Sequence, residues 1–135
     1  MSPLTRDRAT SYREGIEVEF PVAAATKIYA GSMVCVNAGG YARPAADTSG
    51  CRFAGVAMEQ VDNTAGADGV IMIRLRRSGV FEFDAASLTQ AKVGNAMYAV
   101  DDQTFADASG ATNDIKVGTL VKYVSATKGW IDIAR

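Results

Sequence analysis

The sequence predicts an all-β protein, a small barrel-like or sandwich body built from two pseudo-repeated β units. Three observations favour this class. Apolar and polar residues alternate with a period of two in many short segments, polar turn residues separate these segments, and part of the pattern occurs twice. The chain has 135 residues and 48% of them are hydrophobic, so it is long and apolar enough for one domain with a buried core.

The predicted strands begin after Gly15. In the segment IEVEF, Ile16, Val18 and Phe20 alternate with two glutamates, which is typical of a strand with one buried face. Seven further segments have the same character: SMVCV, RFAGVAMEQV, GVIMIRLRR, GVFEF, AMYAV, VGTLVKYV and GWIDIAR. Many short strands at close spacing indicate a barrel or a sandwich rather than a helical bundle.

One segment, residues 84–92, has a helical pattern instead. Asp84 is a suitable N-cap residue, and Leu88 and Ala91 are placed to face inward on the same side of a helix. The sequence therefore predicts one short helix within the second half of the chain.

The two halves share a pattern of glycines and apolar residues. Four pairs of identical residues are 63 positions apart: Gly31 and Gly94, Gly55 and Gly118, Val61 and Val124, and Thr64 and Thr127. Tyr41 with Ala42 matches Phe105 with Ala106 one residue out of step, and a shift to 60 positions aligns Ile71 and Ile73 with Ile131 and Ile133. We expect duplicated units at about 31–75 and 94–135. Because one such unit is too small to cover its own apolar face, we expect the two to close on each other.

The first fifteen residues differ from the rest. They carry several arginines and only two sizeable apolar side chains, so ordering them alone does not bury enough surface to offset the lost chain entropy. We therefore expect a flexible arm over residues 1–15, followed by a single β domain over residues 16–135. The arm residues expected to contact a partner are Leu4, Arg6, Arg8, Tyr12 and Arg13.

The composition argues against several classes of function. The chain has no histidine, which removes the commonest acid–base catalyst near neutral pH and the commonest metal ligand. Asp101 and Asp102 fall in a predicted hairpin, where such residues favour a turn. A net charge of −1 does not suit a protein that neutralises nucleic-acid phosphates or an anionic membrane. We expect no enzyme activity, no cofactor and no bound metal.

Two cysteines are present. Cys35 lies in the apolar run MVCV, which predicts a buried free thiol, although a disulfide with Cys51 remains open. The N-terminal segment is polar and no apolar run approaches the roughly 20 residues needed to cross a bilayer. These features predict a soluble protein that stays in a reducing cytoplasm.

The segment RLRR is the most strongly charged part of the predicted body. On a strand, Arg74 and Arg76 face away from Ile73 and Leu75. With Arg77 they form either a solvated strand face or a basic patch that meets an acidic protein surface. Nucleic acid is the least favoured partner, because no aromatic residues alternate with the arginines.

The order of these segments resembles the small capsid cement, or head decoration, proteins of tailed bacteriophages. The resemblance extends from Glu17 to the end of the chain, and its best-matching segments are SGVFEF (78–83), VGNAMYAVDD (93–102) and VGTLVKY (117–123). The basic arm is longer than the family pattern, and RLRR is more charged than the corresponding strand.

The resemblance implies a structural role without catalysis. Copies of such a protein, as dimers or trimers, bind the outer surface of a phage head and hold neighbouring major capsid subunits together on the virion. The alternative is a small-molecule or glycan-binding β module of a phage tail or adhesin. In that case Tyr41, Tyr98, Phe105 and Trp130 line a groove, whereas in a cement protein we expect them to fill the barrel.

Overall fold

A computed structural model of the chain describes residues 2–11 and 15–133, and this part is all-β as predicted. It contains two single-turn 3-10 helices, Gln90–Lys92 and Ala108–Gly110. The strands are β1 (Glu17–Pro21), β2 (Thr26–Ile28), β3 (Met33–Val36), β4 (Ala42–Pro44), β5 (Arg52–Ala57), β6 (Val61–Asn63), β7 (Met72–Arg76), β8 (Val80–Ala85), β9 (Ala96–Ala99), β10 (Thr104–Ala106), β11 (Lys116–Ser125) and β12 (Lys128–Asp132).

Each half of the chain forms its own curved sheet. The first half has the strand order β1-β7-β5-β3-β4, and a parallel bridge between Val22 and Ala42 links the end of β1 to β4. The second half is a closed barrel with the order β10-β8-β12-β11-β9, in which β9 pairs with β10. Strands β2 and β6 pair with each other as a small extra sheet in the first half.

The strand registers show that the two halves have the same topology. Strands β1, β3, β4 and β5 correspond to β8, β9, β10 and β11 at a separation of 63 residues. Strand β7 corresponds to β12 at a separation of 56. In the first half Val18 pairs with Leu75, and in the second half Phe81 pairs with Ile131.

Backbone hydrogen bonds outside the strands repeat with the same spacing. The amide of Gly31 donates to the carbonyl of Ala57, and the amide of Gly94 donates to the carbonyl of Leu120, both at 2.8 Å. Three more amide-to-carbonyl bonds of the first unit have an equivalent in the second. The bond from Ala23 to Ala42 corresponds to that from Ala86 to Phe105, the bond from Val22 to Ile71 to that from Ala85 to Thr127, and the bond from Arg77 to Ile16 to that from Ile133 to Gly79. The two units thus agree in strand order, register and connecting hydrogen bonds.

Two details of the predicted alignment are wrong. The equivalence begins at β1 and β8, before Gly31 and Gly94, and the closing strands match Leu75 to Ile131 rather than Ile71 to Ile131. Likewise Ala42, not Tyr41, corresponds to Phe105. The segment before the closing strand is shorter in the second unit. The sequences GVIMI and GWIDI are similar, but the strand pairing places them at different positions in their units.

The expectation that one unit is too small to cover its own apolar face is also wrong, because each unit encloses apolar residues of its own. The first core consists only of first-half residues; its fully buried members are Val22, Ile28, Val34, Ala42, Ile73 and Leu75. The second-half barrel is filled by residues that include Met97, Phe105, Leu120 and Ile131. A barrel satisfies its strand edges internally, so each unit forms a closed or nearly closed wall around its apolar residues.

The two units nevertheless form one continuous apolar contact. Several residues of β3 and β5 face away from the first core, and these pack against the second barrel as part of its core cluster. They are Met33, Cys35, Phe53 and Val56. Two backbone bonds support the contact: the amide of Met33 donates to the carbonyl of Asp102, and that of Asp47 donates to the carbonyl of Val100.

Cys35 is buried at this contact, as predicted, but it is not a free thiol. It forms a disulfide with Cys51, and the two Cα atoms are 5.8 Å apart. Both cysteines are at least 96% buried, and the bridge joins β3 to the segment that leads into β5. The sequence did not decide the pairing, because the distance between the two side chains depends on how the β3–β4 hairpin folds back.

The predicted helix over residues 84–92 is wrong. Asp84 lies in β8, where it pairs with Lys128, and only residues 90–92 form a single 3-10 turn. Leu88 is buried as expected, whereas Ala91 is exposed. Pairing of β8 with both β10 and β12 provides the backbone of residues 84 and 85 with partners that a helix starting there would lose.

Candidate interaction surfaces

The N-terminal arm forms no hydrogen bond and no ion pair with the body at the positions that the structure describes between residues 2 and 11. All ten of these residues are exposed, and their one backbone hydrogen bond joins the amide of Thr10 to the carbonyl of Arg8 within the arm. The side chain of Leu4 is 71% exposed. Arg6 and Arg8 flank Asp7 beside it, so an apolar and a cationic group are both available to a partner. Tyr12 and Arg13, the other two predicted contact residues, lie outside the described residues.

The three arginines of RLRR lie in a mixed-charge surface rather than a purely basic one. In the register of β1 and β7, Glu17 is opposite Arg76 and Glu19 is opposite Arg74. The side chain of Arg74 also donates to a carboxylate oxygen of Glu59 at 3.1 Å. This hydrogen bond, with the charge of Glu59, raises the pKa of Arg74. Arg76 and Arg77 are exposed beside it.

A groove of about 320 Å³ runs between the two units. Its apolar lining comes from Val56, Ala57 and Met58 on one side and from Phe81 and Phe83 on the other. Arg76 and Glu82 lie at its polar edge, and Gly31 completes the lining. Such a groove follows from packing two convex walls together, and the strand pattern alone gave no sign of it.

The loop that carries Asp101 and Asp102 is a turn, as its sequence indicates. A side-chain oxygen of Asp101 accepts a hydrogen bond from the amide of Gln103 at 2.9 Å, which is typical of aspartate at a hairpin tip. Partial burial, together with the negative charge of Asp101, raises the pKa of the Asp102 carboxyl. This carboxyl, with Tyr29 and Ser32, borders a second open groove of about 360 Å³.

The four aromatic residues of the alternative function do not line a common groove. Phe105 is completely buried inside the second barrel, which is the position expected for a core aromatic. Tyr98 and Trp130 are half-buried on the outer faces of β9 and β12, because their strand neighbours Met97 and Ile131 face inward. Tyr41 lies in the first unit. The expectation that all four fill a barrel is therefore wrong for Tyr41, Tyr98 and Trp130, which belong to neither core cluster.

The outward position of Trp130 is a feature that reading the sequence missed. In the register of the second barrel, Trp130 lies between Glu82 on β8 and Lys122 on β11. Its only advance signal was the alternation in GWIDI, where Gly129 and Ile131 share a face and Trp130 takes the other.

Comparison with known proteins gave no match among protein-family models, curated proteins or solved structures. Within residues 2–11 and 15–133, no helix has the length and apolar character required to span a membrane.

Proposed function

We propose that this protein is a capsid decoration, or cement, protein of a tailed bacteriophage. In this role it binds the outer surface of the head and bridges neighbouring major capsid subunits, without catalysis. It is made in the cytoplasm of the bacterial host and resides on the virion. The observation that carries the proposal is the exposed arm, whose described arginines and leucine are exposed and form no hydrogen bond or ion pair with the compact body. The resemblance of the β segments to that family supports the same role.

In the proposed function, the arm and the body contribute differently to binding of the shell. The body is compact, since each unit has buried apolar residues of its own, a disulfide crosslinks the first unit, and an apolar contact connects the two units. An extended arm can add to an exposed strand edge on a shell, where backbone hydrogen bonds provide affinity. Because many copies act on one shell, each contact can be weak and still stabilise the lattice by mass action.

The arm supplies the main contact, and the RLRR arginines supply a secondary one. Arg74 is already paired with Glu59, so its charge contributes less to an outside partner than that of an unpaired arginine. Arg76 and Arg77 are the better placed of the three to meet acidic groups on a capsid surface.

Deleting residues 1–14 tests the proposal directly. We expect the truncated protein to lose co-sedimentation with expanded, undecorated phage shells. We expect its thermal midpoint to stay within about 1 °C of that of the intact chain, because the described arm residues are exposed and form no hydrogen bond with the body. Cryo-electron microscopy of decorated shells then locates the arm.

A charge-matched pair of variants separates the arm from general electrostatics. Replacing Arg6 and Arg8 by alanine removes two arm cations, and replacing Arg52 and Lys116 by alanine removes two exposed cations from the body. We expect only the first pair to weaken shell binding. Binding at full strength by the truncated protein would show that the arm is not the gripping element.

A further inference from the structure

One wall of the groove between the two units is the edge of a strand. The groove has a volume of about 320 Å³, and three consecutive residues of β8 line it: Phe81, Glu82 and Phe83. Because consecutive residues of a strand point to opposite faces of the sheet, a groove that contacts all three lies against the edge of β8. β12 pairs with the other edge, and none of its five described residues lines the groove.

This edge of β8 has free backbone hydrogen-bonding groups. The amide of Ala85 donates to the carbonyl of Thr127, and in an antiparallel pair the bonding direction alternates along the strand. Odd-numbered residues of β8 therefore bond to β12, whereas Val80 and Glu82 direct their N–H and C=O groups to the open edge. Within the described part of the chain, no strand pairs with Val80 or Glu82 on that side, and no hydrogen bond reaches their backbone groups.

The open part of the edge is short and faces apolar side chains. It ends at Asp84, whose amide donates to the carbonyl of Gln103 at 3.0 Å, next to the point where β10 begins to close the barrel. The opposite wall of the groove comes from the end of β5 and consists of Val56, Ala57 and Met58. The two charged residues of the lining, Arg76 and Glu82, have opposite signs, so neither sign prevails there.

The equivalent edge of the first unit is protected against pairing. There Glu17 takes the position of Val80, and Pro21, which has no amide hydrogen, takes the position of Asp84. Charged side chains and proline are common means by which an edge strand avoids pairing with another chain. The edge of β8 lacks the proline, and its Val80 side chain is 49% exposed. The two units thus differ at this edge, and the unprotected one borders the groove.

We infer that the open edge of β8 binds an extended peptide segment of a partner protein, which lies in the groove as an added strand. The N–H and C=O groups of Val80 and Glu82 bond to the backbone of this segment. Every second side chain of the segment then lies on the same face as Phe81 and Phe83 and packs against the apolar lining, while the others face solvent. The site therefore takes a segment with apolar side chains at alternate positions. It is separate from the arm and does not depend on shell binding.

A titration with synthetic peptides tests this inference on the isolated protein. The probe is an acetylated and amidated heptapeptide with valine at every second position and threonine or lysine between. We expect saturable shifts of the amide resonances of Val80 and Glu82 in nuclear magnetic resonance spectra of the labelled protein. Two further peptides carry N-methyl groups, one on its valines and the other on the residues between them. Only alternate amides of an added strand face β8, so we expect one of these two peptides to lose binding and the other to keep it.

Proline substitution tests the same edge from the side of the protein. Glu82→Pro removes one free N–H group, and we expect it to weaken binding of the probe peptide about tenfold. Glu82→Gln keeps that N–H group and should bind like the unsubstituted chain. Glu19→Pro makes the same change at the equivalent edge position of the first unit, and we expect it to leave binding unchanged. Circular dichroism shows whether each variant is folded, and the N-methylated pair keeps the test decisive should Glu82→Pro fail to fold.

Several results would overturn the inference. One is the absence of shifts at the amides of Val80 and Glu82 at millimolar peptide, and another is equal binding of the two N-methylated peptides. Peptide binding that appears only after residues 1–14 are deleted would assign the edge to the arm of the same chain. Self-association that Glu82→Pro abolishes would assign it to a second copy. Because no shell is present, none of these results depends on the proposed function.

Discussion

At the residue scale, Gly55 and Gly118 are positions where the close approach of two backbones requires glycine. A β-carbon added at Gly55 would lie 2.5 Å from the carbonyl oxygen of Arg76, and one added at Gly118 would meet the equivalent oxygen of Asp132 in the same way. Each glycine follows the bulged register between two strands of its own unit. Only a residue without a side chain allows the neighbouring strand to approach.

Substituting either glycine by alanine should therefore be costly. We expect Gly55→Ala and Gly118→Ala each to destabilise the protein by about 3 kcal/mol, because the contacted atoms are backbone and cannot move aside. Urea denaturation measures the change in unfolding free energy. Gly15→Ala is the control, since nothing lies within 4 Å of its added carbon, and we expect no measurable loss there. Equal stabilities for all three variants would contradict the close-approach explanation.

Asp107 and Lys92 form the shortest ion pair in the described chain. The Lys92 ammonium lies 2.7 Å from one carboxylate oxygen of Asp107, and the amide and hydroxyl of Ser109 donate to the other. The hydrogen bond from Lys92, with those from Ser109, lowers the pKa of Asp107 from 3.8 to about 2. The pair joins the two 3-10 helices of the second unit.

This lowered pKa makes a pH-dependent prediction. A carboxyl whose pKa is lower in the folded state stabilises the fold above its unfolded pKa and loses that contribution as the pH falls. We expect Asp107→Asn to lower the thermal midpoint at pH 7, and the gap from the unsubstituted protein to narrow between about pH 4 and pH 2. Asp7→Asn, in the exposed arm, should have no effect at either pH. A gap that is constant with pH would assign the loss to packing instead.

At the scale of elements, β3 and β5 have two buried faces, and each face packs into a different core cluster. One face completes the first core through residues such as Val34 and Ala57, and the other packs on the second barrel through Met33 and Phe53. Near-continuous apolar runs are typical of strands that are covered on both sides. The Cys35–Cys51 disulfide holds the second of these faces in place from the side of the first unit.

Reducing that disulfide should weaken the whole body. The bridge closes a loop of 16 residues, for which a chain-entropy estimate gives about 3 kcal/mol of stabilisation. We expect the thermal midpoint to fall when the protein is unfolded and refolded with reductant, and mass spectrometry with a thiol-alkylating reagent to count two free thiols only then. The paired variant Cys35→Ala and Cys51→Ala should be insensitive to reductant. Two thiols alkylated in the denatured, unreduced protein would contradict the disulfide.

At the scale of the whole molecule, the two units are similar in topology but not interchangeable. The outer face of β3 and β5 is apolar in the first unit, where it contacts the second, whereas the position equivalent to Phe53 is the exposed Lys116. The second unit therefore presents an exposed lysine at the position where the first unit presents the phenylalanine that contacts its neighbour.

The shared contact predicts one cooperative unfolding transition for the body. We expect a calorimetric enthalpy equal to the van 't Hoff enthalpy, because the apolar residues of β3 and β5 belong to the cluster that fills the second barrel. Phe53→Ala should lower the free energy of unfolding by about 3–5 kcal/mol, as usual for a buried aromatic side chain. Two separate transitions in the unsubstituted protein would show that the units fold independently.

The sequence by itself determined the all-β class, the presence of a repeated unit and the contrast between arm and body. Each of these depends on local information: a period of two, the spacing of glycines, and the scarcity of apolar residues before Gly15. The predicted helix over residues 84–92 does not form, because pairing of β8 with β10 and β12 outweighs the local helical pattern.

Only the tertiary structure decided where the barrels close, that Cys35 forms a disulfide with Cys51, and that Trp130 lies on the outer face of its barrel. These depend on partners that are distant in the chain, and a period-two pattern states that two faces exist without stating what covers each. Both faces of β3 are covered here, by its own core and by the second unit, whereas the outer face of β12 is left open around a tryptophan. Burial is a property of the assembled sheets, and for that reason the surfaces emerged only once the strands were paired.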